Sequence, residues 1–350
     1  MRVPVGVCFA AVTCLIGGTV QAQEFKVSGQ LNRLLMRVDD GTRSRGIHAD
    51  NVNSQTRLRI TAAHDIAPWL KVGANWENGY TENPSSLVDM NNASVDATVN
   101  KRHADIYFLG EWGKLSVGRG DGAANGGMEC DLSGTTVISY SGITDIGGGF
   151  AFRGGAAVGP TIAATIGNLD FESRYRRQRY DTPRFGPLTL SVSEGRKDDH
   201  GVSELAAWYA GELPVGKLAA ALGWSRERKG GVAGDEDTGG GSVSWLAPGG
   251  VNLTLAAGAS VDDTPAKPRK TFIYGKLGYL SGKHAVSLDY AKGGDFKVAG
   301  DRSWMLGIGY VYTATTWMEL YAGAKRHGLD CAGCSFNDIT FMVVGTRLKF

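Results

Sequence analysis

The sequence lacks a strong net charge, a long apolar run and a large set of cysteines. Its 37 lysines and arginines nearly balance 35 aspartates and glutamates, which leaves a formal net charge of +2. This balance gives no electrostatic basis for binding nucleic acid. Beyond residue 22 no apolar run reaches the ~18 residues of a membrane-spanning helix. The composition therefore excludes both a basic nucleic-acid surface and an α-helical span.

Cysteine is scarce: the chain has five, and two of them lie in the first 22 residues. Cys331 and Cys334, with two residues between them, could form a redox pair, part of a metal site or a small-loop disulfide. A zinc site would need further ligands, and only His327 is near. A redox motif would need a βαβ context, which is absent. In an oxidising compartment a loop disulfide is expected, and Cys130 is then a buried free thiol or an unexplained residue. No catalytic group, metal or cofactor is expected.

The first 22 residues have the organisation of a secretory signal peptide. Arg2 gives a basic start, residues 3–16 are largely apolar, and residues 20–22 form a small-residue cleavage site. The alternative is a transmembrane anchor, but the apolar stretch is shorter than the ~20 residues that a span needs. The expected organisation is a signal peptide at 1–22 followed by one barrel domain at 23–350.

Glycine and aromatic residues are abundant in the sequence, and proline is scarce. The chain has 51 glycines, 10 prolines and 32 aromatic residues, which is typical of strands and turns. From Thr340 to Phe350 apolar side chains fall mainly on even positions, and Arg347 and Lys349 fall on the other face. Period two gives one face suited to lipid and one suited to water. A terminal Phe350 resembles the signal by which outer-membrane barrels are recognised for insertion.

Sixteen segments repeat this pattern. They are residues 25–38, 54–65, 69–80, 101–111, 114–120, 169–182, 188–197, 203–213, 217–228, 240–247, 251–262, 270–281, 283–293, 301–313, 316–327 and 338–350. Short turns alternate with longer polar connections, such as 39–53, 121–168 and 198–202. This alternation is typical of an up-and-down outer-membrane barrel, and an even strand count puts both termini on the periplasmic side. Several aromatics crowd the short-turn side, as an interfacial girdle would: Trp69, Trp112, Tyr279, Tyr312 and Trp317.

The predicted fold is an all-β, sixteen-stranded antiparallel transmembrane barrel. In lipid every backbone amide must be paired, so a spanning sheet must close on itself. A barrel of this width cannot be filled by its own side chains and leaves an aqueous channel. Inward-facing residues should therefore be polar. The strand count itself predicts a water-filled pore.

Two local stretches resemble Gram-negative general porins. RGDGAANG at 119–126, with DLSGT at 131–135, resembles the start of their constriction loop, and RYDTPRFG at 179–186 resembles the strand and turn that follow it. The resemblance covers the whole mature length. It implies a homotrimer, a third external loop that folds inward, and contact with outer-membrane lipid and the barrel-assembly machinery. The loop at 121–168 is long for this family and contains Cys130.

Opposed acids and bases are expected at the constriction. On the loop we predict that Glu129 and Asp131 face the pore, and Asp121 is a further candidate. The wall candidates are Arg33, Arg37, Arg57, Arg59, Arg102, Arg174, Arg176, Arg177 and Arg179. The arginines at 174–179 occupy both even and odd positions, so a regular strand would place them on opposite faces. A β-bulge near Arg176 and Arg177 is therefore predicted to turn them to one face. The arginine excess favours anions slightly.

Two other functions share this barrel. A substrate-selective channel could use a line of inward aromatics, for which Tyr107, Phe272 and Tyr274 are candidates. A structural or adhesive surface protein would use its loops instead. Asp198, Asp199 and His200 resemble part of an outer-membrane protease site, but the further catalytic acids of such a site are missing, so no enzyme is expected. The favoured function is passive diffusion of ions and small hydrophilic solutes.

Overall fold

The computed structural model describes residues 24–231, 234–264 and 268–350, so the predicted signal peptide lies outside the described part. Most of the described residues lie in strands, and helix is almost absent from them. Its strands are β1 (Glu24–Asp39), β2 (Ser44–Asp50), β3 (Arg57–Ala67), β4 (Leu70–Thr81), β5 (Thr98–Gly110), β6 (Gly113–Asp121), β7 (Ala151–Gly154), β8 (Ala157–Thr161), β9 (Arg174–Asp181), β10 (Leu188–Lys197), β11 (His200–Leu213), β12 (Gly216–Arg228), β13 (Glu236–Leu246), β14 (Val251–Asp262), β15 (Lys270–Ser281), β16 (His284–Gly294), β17 (Arg302–Thr315), β18 (Met318–Asp330) and β19 (Ile339–Lys349). A 3-10 turn (Val52–Ser54) and a single-turn helix α1 (Ile162–Thr165) complete the elements.

The large sheet closes into a barrel. It holds 17 strands joined by antiparallel pairs, and β1 pairs with β19 from Gln30↔Lys349 to Asp39↔Thr340. On its other side β1 pairs first with β3 and then with β2, so these two segments share one position in the wall. The barrel therefore has sixteen positions, and the predicted fold class is confirmed. β7 and β8 form a separate hairpin.

Exposure alternates along the strands as a membrane barrel requires. On β14 the outward Leu253 and Leu255 are 48% and 61% exposed, whereas the inward Asn252 and Thr254 are buried. Outward aromatics near the short turns include Trp69, Trp112, Tyr279, Trp317 and Phe350. Within the described ranges no helix is long and apolar enough to cross a membrane.

The predicted short turns are present, but two predicted long connections are wrong. Residues 39–53 contain strand β2, which pairs with β1 and leaves only residues 40–43 as the connection. Ile47 and Ala49 of β2 face inward and are buried, but charged neighbours hid their alternation in the sequence. The connection predicted at 198–202 is only a two-residue turn, in which Asp198 and Asp199 adopt positive φ.

The constriction loop, residues 122–173 between β6 and β9, is longer and more ordered than predicted. It contains β7, β8 and α1, and β9 begins only at Arg174. Its apolar side chains pack on the inner face of the wall, where the rings of Phe150 and Phe341 lie 5.4 Å apart. Wall glycines allow this approach: a Cβ at Gly323 would come within 2.8 Å of Ile138. Part of the wall is thus apolar and buried, contrary to the expectation of a polar interior throughout.

Candidate pore constriction

Two buried charged residues of the wall hold the constriction loop. Glu204 on β11 accepts hydrogen bonds from the main-chain N–H groups of Ala124 (3.2 Å) and Glu172 (3.0 Å), near the two ends of the loop. Lys276 on β15 donates to the Asp131 carboxylate at 2.5 Å and to the Ser139 carbonyl at 2.5 Å. Both anchors are almost fully buried. They fix the loop against one side of the barrel and leave the other side open.

A polar cavity of about 340 Å³ separates the loop from the opposite wall. Three arginines line its wall side: Arg57 from β3, Arg102 from β5 and Arg174 from the start of β9. Arg102 is aimed inward because a bulge in the β4–β5 pairing lies beside it, and it bonds Glu77 and the Gln55 Oε1 (3.0 Å). The wall thus presents a cluster of cations to the lumen.

Three carboxyl groups of the constriction loop line the other side. Glu129 accepts a hydrogen bond from Asn168 (3.0 Å), and Asp145 accepts one from the Tyr140 hydroxyl (2.6 Å). Asp170 accepts from the main-chain N–H groups of residues 126 (2.7 Å) and 128 (2.9 Å). All three line the same cavity as the arginines. Acids and bases therefore face each other across the narrowed lumen, as a transverse field requires.

Burial weakens the acid side of this field. Desolvation raises the pKa of Asp170 to about 6. It also raises the pKa of Asp145, and it raises that of Glu129 well above its usual range, with the nearby Asp170 carboxylate adding to the effect. A carboxyl group with a raised pKa carries less negative charge near neutral pH. On the wall side Arg102 pairs with Glu77 and Arg174 pairs with Asp121 (3.3 Å), so the positive charge that the loop acids leave unbalanced rests mainly on Arg57.

Some predicted pore residues lie in this cavity and others are engaged elsewhere. Of the predicted pore residues, Glu129, Arg57, Arg102 and Arg174 line it. Asp131 does not, because it is buried against Lys276. The remaining inward candidates form wall ion pairs: Arg59 with Glu77 (3.9 Å), Arg177 with Asp105 (2.6 Å) and Arg179 with Asp181 (2.9 Å).

Three arginines that were predicted to line the pore face outward instead. Arg33 and Arg37 share the outward face of β1 with the exposed Leu31 and Leu35. The predicted bulge in β9 is wrong, because its register is regular against both neighbours. As a result Arg176 is exposed on the outside while Arg177 is buried inside.

Asp121 stands at the rim, 3.3 Å from Arg174 and 3.6 Å from His103. It supports the arginine cluster from outside the cavity lining.

Sequence reasoning missed Asp170 and did not select Asp145, and it placed no role on Tyr140. Asp170 was assigned to a strand because residues 169–182 look continuous. The positive φ of Leu169 (53°) and Phe171 (44°) marks an irregular segment. The flanking asparagine and the acidic pair at 170 and 172 are the signals that could have indicated a loop.

The inward aromatics do not form a line for sugars to follow. Phe272 and Tyr274 are buried beneath the constriction loop, and Tyr107 packs over Gly73 and beside Lys114. Their burial removes the observation that favoured a substrate-selective channel.

Cys331 and Cys334 form a disulfide with Cα atoms 5.5 Å apart, and Cys130 is a free thiol in the constriction loop. Among the described residues no group of His, Cys, Asp and Glu is arranged to hold a metal ion.

A comparison with protein families matches residues 9–330 to the family described as Gram-negative porin. The chain belongs to the Gram-negative porin family. No curated protein matches the sequence. The barrel, its inward loop and its family together make the protein an outer-membrane diffusion channel for ions and small hydrophilic solutes.

Solved structures of other porins share the fold of this porin. The anion-selective porin from Comamonas acidovorans is similar with a TM-score of 0.68 at 18% identity, over 93% of this chain and 99% of that one. OmpT of Vibrio cholerae, in a trimer form, is similar with a TM-score of 0.59 at 13% identity, over 93% and 99%. A mutant of the Rh. blastica porin gives 0.56 at 15% identity, over 93% and 100%.

Proposed function

We propose that this porin prefers anions and that the preference arises at the cavity between Arg57, Arg102 and Arg174 and the constriction loop. The observation that carries the proposal is the imbalance across the lumen: three guanidinium groups face carboxyl groups whose pKa values burial raises. Arginine stays protonated at any working pH. The summed field at the narrowest part therefore favours negative ions, while the open cross-section sets the size limit.

Removing the wall charge is expected to reduce the anion preference. In the triple variant Arg57→Gln, Arg102→Gln, Arg174→Gln, the chloride-to-potassium permeability ratio should fall about tenfold, because each charge acts on an ion only a few ångströms away. The measurement is the reversal potential of the reconstituted porin in a potassium chloride gradient. Arg326→Gln, an outward arginine paired with Asp338 at 2.6 Å, is the control and should leave the ratio unchanged. An unaltered reversal potential in the triple variant would contradict the proposal.

The anion preference should also depend on pH. A raised pKa means that a carboxyl group loses its charge as the pH falls through the raised value, so acidification removes negative charge from the lumen. Between pH ~8 and ~5 the chloride-to-potassium ratio is expected to rise. The midpoint should lie near the Asp170 pKa of about 6. Asp170→Asn should flatten the profile in that range, whereas Asp199→Asn, in an exposed turn, should not. A flat wild-type profile is the opposing result.

We further propose that the porin is a homotrimer with both termini in the periplasm, made with a signal peptide at residues 1–22, and that it acts as a channel without enzymatic activity. The support for orientation is that β1 begins and β19 ends at the short-turn side of the barrel. The Vibrio cholerae neighbour in its trimer form supports the assembly. Asp198 and Asp199 form only a tight turn, and His200 lies 3.3 Å from Glu227, which supports a structural role for that segment.

A further inference from the structure

Three arginines form a row on the outside of the barrel. The register places Arg176 of β9 directly opposite Arg119 of β6 on one side and Arg196 of β10 on the other. The three share the outward face with Val117 and Val192, which are exposed. Arg177, the residue after Arg176 in β9, faces inward and is buried. We call Arg119, Arg176 and Arg196 the arginine row.

The arginine row is unfavourable unless something anionic covers it. Side chains directly opposite on neighbouring strands lie ~5 Å apart, and like charges in that position destabilise a sheet. Within the described residues none of the three forms an ion pair. Arg119 donates to the Lys101 carbonyl (2.8 Å) and Arg196 to the Asp199 carbonyl (2.7 Å), which uses part of each guanidinium and leaves its charge uncompensated.

The next outward arginines along the sheet, on β12, have carboxylate partners. Arg228 extends the arginine row across Gly201, but it bonds Glu194 at 3.1 Å. Glu194 lies two residues from Arg196 on the same face of β10, and it is already engaged in this way. Arg226 pairs with Asp235 at 3.2 Å, so both outward arginines of β12 are compensated, whereas those of the row are not.

The arginine row stands at the edge of the apolar belt. It lies two residues inside the long-loop end of β6, which ends at Asp121. On the short-turn side of the row the outward residues of the same strands include Val117, Leu190 and Val192, all exposed. In a membrane barrel the boundary between an apolar belt and polar residues is where lipid headgroups lie.

We propose that the arginine row binds the phosphate groups of an anionic lipid in the leaflet on the long-loop side. Guanidinium groups bind phosphate oxygens through paired, charge-assisted hydrogen bonds. A phosphate-bearing headgroup would neutralise adjacent arginines, and its acyl chains would cover the neighbouring apolar belt, which a free phosphate ion could not do. The leaflet assignment rests on the orientation under "Proposed function"; the binding itself does not.

The test is lipid binding to the purified, detergent-solubilised porin, measured by native mass spectrometry. The probe is lipid A with two phosphates, compared with the same lipid after dephosphorylation. The triple variant Arg119→Gln, Arg176→Gln, Arg196→Gln should bind the phosphorylated probe about a hundredfold more weakly, since each basic side chain at an anionic lipid surface contributes about a factor of five. Arg326→Gln is the matched control and should bind as the wild type. Loss of wild-type binding on dephosphorylation would further support the proposal.

Three results would overturn the proposal. The triple variant could bind the phosphorylated probe as tightly as the wild type. Inorganic phosphate at the probe's concentration could displace the lipid fully, which would indicate a site for a free anion. The triple variant could alter the oligomeric state while its lipid affinity stays unchanged, which would make the row a subunit contact. Conductance in planar bilayers is recorded in parallel. The conductance of the triple variant should equal that of the wild type. A wild-type protein without conductance would contradict the channel function and not the lipid proposal.

Discussion

Lys276→Met is expected to free the constriction loop from the wall and to make the pore wider and electrically noisy. The Lys276 ammonium donates to four loop acceptors, at 2.5 Å to Asp131, 2.5 Å to the Ser139 carbonyl, 3.1 Å to Ser133 and 3.2 Å to Thr135. Methionine would leave the Asp131 carboxylate buried without its ion-pair partner, although the Ser133 N–H still donates to it at 2.8 Å, at a cost of about 3–5 kcal/mol. The barrel has its own ladder of hydrogen bonds, so the loss falls on the loop. Single-channel recordings should show larger and fluctuating conductance.

The control for this prediction removes both charges. Replacing Lys276 with methionine and Asp131 with leucine leaves no uncompensated buried ion, and such exchanges are often close to neutral in stability. The double variant should therefore recover steadier currents than Lys276→Met alone. Quiet, wild-type currents from the single variant would show that the ion pair does not hold the loop.

Alternation of side chains was enough to predict the barrel. The bounds of β10, β14 and β15 agree with the prediction at 188–197, 251–262 and 270–281, because each of these strands has a turn signal at its end on the short-turn side. The failure at β2 has a physical cause. Ile47 and Ala49 belong to a buried cluster that includes side chains of the constriction loop, so their burial depends on segments far away in sequence, which period two does not reveal.

On the strands, the direction of a constriction residue could be predicted where the strand is regular and parity decides it. Arg57 was placed correctly because β3 is regular there and Leu58 faces outward. Arg102 depends on a bulge in the β4–β5 pairing, whereas the bulge predicted for Arg176 is absent. Asp131 has the residue type of a pore carboxylate, but a lysine 145 residues away in sequence withdraws it from the lumen. Long-range pairing of this kind leaves no mark on local sequence.

Glu204→Leu is expected to detach the base of the constriction loop. The Glu204 carboxylate accepts from the main-chain N–H of Ala124 near the start of the loop and of Glu172 near its end, and from the Ser193 hydroxyl at 3.3 Å. Leucine would leave both N–H groups buried without an acceptor, at about 1–3 kcal/mol each. Both ends of the loop then loosen together, and single-channel conductance should rise with frequent substates.

Glu204→Gln separates hydrogen bonding from charge in this prediction. The amide keeps one carbonyl oxygen as an acceptor but loses the second, so its conductance should lie between those of the wild type and Glu204→Leu. Glu227→Gln is the matched control, since Glu227 is an inward carboxylate on the next strand whose ion-pair partners are Lys229 (3.1 Å) and His200 (3.3 Å), neither of them in the constriction loop. Circular dichroism should show an intact barrel in all three variants. If Glu204→Leu conducted like the wild type, the loop would be held by its apolar packing and Lys276 alone.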